Sequence, residues 1–158
     1  MGFEINESVF HLREGVSKVI TTTIINENEY FIVRADRGDG NNIYVPIKNA
    51  NSIIRHLLTR EEAERLFKIL KNIHKDFNTN TKQRRDAFRR RLGSGLVEDI
   101  GYLFKQSVLY KLNPEGVKLG PVDNEMLDYA SMMFLDEMSL IFNLDRDKSE
   151  KIIFEKIA

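Results

Sequence analysis

The spacing of apolar positions changes character near residue 58. Before it, short runs of β-branched and aromatic residues alternate with turn-forming clusters. Residues 16–20 (VSKVI) lead into residues 21–25 (TTTII), a composition that favours strand. Asn26-Glu27-Asn28 reads as a turn, and Tyr30-Phe31-Ile32-Val33 resumes the strand pattern. Gly38-Asp39-Gly40-Asn41-Asn42 marks a second turn, followed by Ile43-Tyr44-Val45-Pro46. Proline cannot donate to a ladder, so Pro46 is expected at a strand end or a sheet edge. Short strands at this spacing predict a small, strongly bent barrel over residues 1–58.

After residue 58 the period is helical. Thr59-Arg60-Glu61-Glu62 reads as a capping box, with Ala63, Leu66, Phe67, Leu70 and Ile73 on one face of the helix that follows. Asn78-Thr79-Asn80 is a polar break and a candidate flexible joint. In the next helix Ala87, Phe88 and Leu92 form a narrow apolar stripe, and Arg84, Arg85, Arg89, Arg90 and Arg91 are expected mostly on the solvent side. Gly93-Ser94-Gly95 ends it. Leu96, Ile100, Leu103, Phe104 and Val108 mark a third helix. Met126, Leu127, Ala130, Met133, Phe134 and Ile141 mark a longer one starting near Asp123, and Ile152, Ile153 and Ile157 a short last one. The fold class predicted is α+β: a β barrel over residues 1–58, then an all-α bundle over residues 59–158.

Charge sharpens this picture. The chain of 158 residues is neutral overall, yet residues 59–95 carry eleven Lys/Arg against five Asp/Glu. The excess is concentrated in residues 82–91 (KQRRDAFRRR). The flanking segments are net acidic. A local positive segment in a neutral chain points to a local contact with a polyanion. Nothing in the run specifies bases, so such a contact positions the protein without reading sequence.

Catalytic and metal signals are weak. The chain has no cysteine, which excludes disulfides and thiolate sites and fits a reducing compartment. His11, His56 and His74 have no ligand spacing and read as surface or structural residues. Ser94 lacks the surroundings of a nucleophile elbow and reads as a helix boundary. Asp145-Arg146-Asp147 begins like a calcium loop, but Glu150 replaces the turn glycine and Lys156 the final glutamate; it reads as a capped helix start. The methionines read as core. No enzyme activity and no cofactor are expected. No apolar run reaches the ~20 residues of a membrane span, and residues 1–10 do not pattern as a signal peptide; a cytoplasmic protein is expected.

In this layout the chain resembles the CarD family of bacterial transcription regulators. Residues 3–9 (FEINESV) resemble the family's opening strand, and Gly15-Val16 its early glycine turn. Residues 30–33 and 43–46 resemble its later strands, followed by Asn49-Ala50. Residues 59–62 resemble the start of its first helix, and Arg84-Arg85 with residues 92–95 (LGSG) the start of its helical domain. The resemblance implies a Tudor-like domain that binds the RNA polymerase β subunit, shared with the transcription-repair coupling factor, and a helical domain that touches promoter DNA. It implies polymerase contacts at Tyr44, Ile43, Val45 and Pro46, by edge-strand pairing plus side chains. It implies DNA contacts at Thr81, Lys82, Arg84, Arg85 and Arg89, and a protein that is monomeric when bound to polymerase. Thr81 stands where well-known members carry a minor-groove tryptophan. Tyr44 stands where some carry an arginine, and the region of Asp123 and Glu125 is acidic where a basic patch is expected. The alternative reading is an adaptor that binds polymerase or another protein without functional DNA contact.

Overall fold

The computed structural model describes residues 2–158. The chain forms two compact units, Met1–Leu57 and Leu58–Ala158. The first is an antiparallel five-stranded sheet and the second a set of five helices, an α+β arrangement. Among the described residues no helix is long and apolar enough to cross a membrane.

The strands are β1 (Ser8–His11), β2 (Gly15–Ile25), β3 (Asn28–Ala35), β4 (Ile43–Pro46) and β5 (Ile54–His56), in the sheet order β4-β3-β2-β1-β5. A 3₁₀ turn, Ile47–Ser52, links β4 to β5. That turn and β5 give no periodic signal in the sequence. The two runs of residues 16–20 and 21–25 form one long strand with an irregularity between Val19 and Thr21, a β-bulge that bends the sheet. The β2–β3 turn is two residues long. Asn26 and Glu27 both have positive φ, at 50° and 69°, the geometry of a type I′ turn. Val9, Val19, Phe31, Val33, Val45 and Ile54 make the core on one face of the sheet, following the period of two along each strand.

The helices are α1 (Arg60–Lys71), α2 (Thr81–Gly93), α3 (Val97–Leu112), α4 (Pro121–Phe142) and α5 (Arg146–Ile157). Thr59 caps α1 in a reciprocal capping box with Glu62, and Asp145 caps α5. α1 buries Ala63, Leu66, Phe67 and Leu70. α3 and α4 form the centre, with Phe104 stacked on Phe134 at 5.1 Å. Gly101 lies there because a Cβ would come within 2.8 Å of Leu70 Cδ1 and 3.1 Å of Phe134 Cε1. Met133 and Met138 are core. Leu96, expected on the α3 stripe, is the residue before that helix and is exposed. The buried Lys105 donates to the carbonyls of Leu70 and Lys71 at 2.8 and 3.2 Å, satisfying the C-terminus of α1.

The stretch that leads from α1 to the joint expected at residues 78–80 is tied down. Gln106, fully buried, donates to the His74 carbonyl and accepts from the Asp76 N–H at 2.7 and 2.9 Å. Lys75 donates to the carbonyls of Asn113 and Glu115. Phe77 packs edge-on against both Phe88 and Tyr110. These anchors come from α2, α3 and the loop after α3, so nothing within residues 72–80 reveals them.

Candidate functional site

Two surfaces carry the residues singled out by sequence: the β4 edge of the sheet and the basic helix α2. β4 is a terminal strand of the sheet. Its register places Val45 opposite Phe31 and Ile43 opposite Val33. The two-residue turn makes Ile25 and Asn28 a hydrogen-bonded pair, and alternation from there directs the main-chain groups of Phe31 and Val33 toward β4. Val45 and Ile43 therefore bond β3, while the main chains of Tyr44 and Pro46 face outward. Pro46 sacrifices no ladder bond there, which is why the edge tolerates it.

The side chains divide the same way. Val45 is 0% exposed and Ile43 packs on the core. Both were expected as contact residues; the strand's period of two turns them inward, which leaves the Val45 side chain no surface to offer, while Ile43 stays half-buried. Tyr44 is 48% exposed and meets Tyr30 edge-to-face at 6.5 Å. Ile32, opposite Tyr44, and Tyr30, opposite Pro46, complete this outer row. Those two neighbours were missed in the sequence, because only the register brings them beside β4.

α2 begins after Asn80, whose side chain accepts the Gln83 N–H at 2.9 Å. Its first turn holds no acid, and Lys82, Arg84 and Arg85 crowd the end where the helix dipole favours anions. Carboxylates from elsewhere meet this demand. Arg84, expected in water, is 4% exposed; its Nη2 donates to Asp123 Oδ2 at 2.9 Å and its Nη1 to the Asn78 carbonyl at 3.0 Å. Asp123 is 0% exposed and also accepts the Gly120 N–H at the start of α4. Burial alone raises the Asp123 pKa, but the hydrogen bonds from Arg84 and Gly120 and the charges of Arg84 and Arg85 outweigh it and hold the carboxyl below its ordinary value. The acidic region expected around Asp123 is, at Asp123 itself, interior. Arg85 Nε lies 3.6 Å from Asp123 Oδ1.

Arg91 is the second inward arginine. Its Nη1 meets Asp99 Oδ1 at 2.7 Å and its guanidinium lies 3.6 Å above the Tyr102 ring. The inner stripe of α2 is thus Arg84, Phe88 and Arg91, spaced four and three, instead of Ala87, Phe88 and Leu92. Phe88 alone of the expected apolar stripe is buried. On the outer side Asp86 binds Lys82 at 3.0 Å and Arg89 at 3.1 Å. The Lys82 hydrogen bond and charge hold Asp86 below the ordinary carboxylate value. Thr81, the first helical residue, is exposed. Arg90, expected on the solvent side but not among the DNA contacts, is exposed and in no ion pair among the described residues.

Five of the six cations of α2 are therefore paired with carboxylates: Arg84 and, more loosely, Arg85 with Asp123, Arg91 with Asp99, and Lys82 and Arg89 sharing Asp86. Lys82, Arg85, Arg89 and Arg90 keep head groups that reach solvent. His11 is structural: buried, its Nδ1 accepts the N–H groups of Arg13 and Glu14, and burial holds its pKa below the ordinary value. Ser94 closes the end of α2, bonding the Arg91 carbonyl and the Leu96 N–H. A family model, that of the CarD C-terminal domain, matches residues 65–154, which takes in α2 to α4 entire and most of α1 and α5.

Proposed function

The chain belongs to the CarD family, a family of non-enzymatic, transcription-related proteins, and on that premise we propose that it is a cytoplasmic accessory factor of bacterial RNA polymerase. The sheet unit docks on the polymerase β subunit through the β4 edge. The outward main chain of Tyr44 and the carbonyl of Pro46 extend a polymerase strand, and Tyr44, Tyr30 and Ile32 supply apolar area beside it. The helical unit meets upstream promoter DNA through the outer side of α2. Lys82, Arg85, Arg89 and Arg90 lie against phosphates, and the factor shifts the balance toward melted promoter to the extent that it binds that state more tightly.

The observation that carries this reading is the outer side of α2, which keeps exposed cations after the interior pairs are made. Arg84 has no direct part in it, since its charge is spent on Asp123. The adaptor reading is favoured by a different observation: Asp86 already engages two of the exposed cations, and exposed Thr81 offers no aromatic wedge.

The deciding experiment replaces Lys82, Arg89 and Arg90 with Ala in the full chain and follows polymerase–promoter complexes. Under the proposal the triple variant binds polymerase as the wild type does, but its effect on open-complex lifetime falls and depends less on salt. Equal lifetimes for the two proteins at low and moderate salt would replace the proposal with the adaptor reading.

A further inference from the structure

β2 is longer than its neighbour. β1 pairs with it only as far as Ser8↔Lys18, and the last bonds on that side join Val19 to Asn6 and Glu7. From residue 20 to the turn, β2 is bonded among the described residues on the β3 side alone. Alternation from the Ile25–Asn28 pair directs the main chains of Thr21, Thr23 and Ile25 toward β3. Those of Thr22 and Ile24 face away, where no strand of the described residues receives them. Residues 20–25 (ITTTII) hold only β-branched side chains, with no charge and no proline. Ile24 is 69% exposed and Ile25 40%. Exposed strand edges are ordinarily blunted by charge, proline or a covering segment; this one carries none of the three within residues 20–25.

We propose that the outer half of β2 is a self-pairing edge that joins two copies of this chain about a two-fold axis. One antiparallel register uses both outward residues at once. Thr22 of one protomer lies opposite Ile24 of its partner, Ile24 opposite Thr22, and Thr23 faces its own equivalent on the axis. Each Thr22–Ile24 pair then makes both of its N–H···O bonds. The flanking cross-strand pair is Thr21 with Ile25. Every pair in this register is β-branched against β-branched, a favourable combination, and none sets like charges opposite each other. A second copy is assigned as the occupant because an isologous contact must be self-complementary, and this edge meets that demand with mostly exposed, uncharged, wholly β-branched residues that match one another across the axis. This edge lies on the side of the sheet away from β4, so the pairing is independent of the polymerase reading.

The contact is small, so the dimer is reversible, with a dissociation constant on the order of 100 µM. Sedimentation of the full chain over a concentration series tests it. The wild type is expected to pass from monomer to dimer. Ile24→Lys places a charge on an exposed site and is expected to weaken the dimer about tenfold. Thr22→Pro deletes an N–H that bonds nothing among the described residues of one protomer, and is expected to do the same. Amide exchange of the wild type gives a reading free of substitutions. The N–H groups of Thr22 and Ile24 exchange freely in dilute protein and become protected as concentration rises. A wild type that stays monomeric at millimolar concentration, or a dimer unaffected by both variants with Thr22 and Ile24 still exchanging freely, overturns the proposal.

Discussion

Arg84 Nη2 and Asp123 Oδ2 lie 2.9 Å apart, joining α2 to α4 across 39 positions of sequence, and both side chains are out of water. The pair turns one of the most conspicuous cations of the chain into an interior strut. A buried pair is weak evidence of net stability, because desolvation opposes attraction, but removing one partner leaves the other charge stranded.

Asp123→Ala should therefore destabilise the helical unit by about 3–5 kcal/mol, whereas Arg84→Met combined with Asp123→Leu should recover most of that loss. Urea unfolding of both variants and the wild type checks this. A cost below about 1 kcal/mol for the single change would mean that the pair is not the strut described.

Acid should expose the same contact. The folded-state pKa of Asp123 is depressed below its ordinary value near 3.8. Stability from a depressed carboxylate is fully present above the unfolded value and is lost as pH falls through the folded one. The stability gap between wild type and Asp123→Asn should be constant near neutrality and should narrow once pH drops below about 4. Unfolding midpoints across an acid series measure it; a gap independent of pH contradicts the charge assignment.

Asp86 is the brake on the outer face of α2. Asp86→Asn releases Lys82 and Arg89 from its charge. If that face meets phosphates, promoter complexes should become tighter, and the salt dependence of binding should steepen by up to about two counterions. Binding measured over a salt series with polymerase present distinguishes this from no change, which the adaptor reading expects.

Neighbouring residues of β4 should behave oppositely. Tyr44→Ala, at an exposed site, should leave unfolding nearly unchanged and weaken capture of the polymerase β subunit about tenfold. Val45→Ala should cost about 2 kcal/mol of stability through its buried methyl groups. Thermal unfolding and β-subunit pull-down, run on both variants, separate the anchor from the core residue.

Local order was legible because its causes are local. The Thr59–Glu62 capping box, the apolar face of α1, the β4 boundaries and the helix end at Ser94 all depend on residues within a few positions of one another. The change from period two to helical period placed the two halves of the fold by itself. What the sequence could not assign is the state of each charge. The run KQRRDAFRRR has the same composition whether its arginines face water or carboxylates. Only the packing of α2 against α3 and α4 brings Asp99 and Asp123 to Arg91 and Arg84 and leaves Arg90 free. Likewise, the strand TTTII reads as strand from propensity alone, but whether its edge is covered depends on where β1 ends. Propensity and periodicity act between near neighbours; burial, charge pairing and open edges are set by contacts between residues far apart in the chain, and for those the tertiary structure decides.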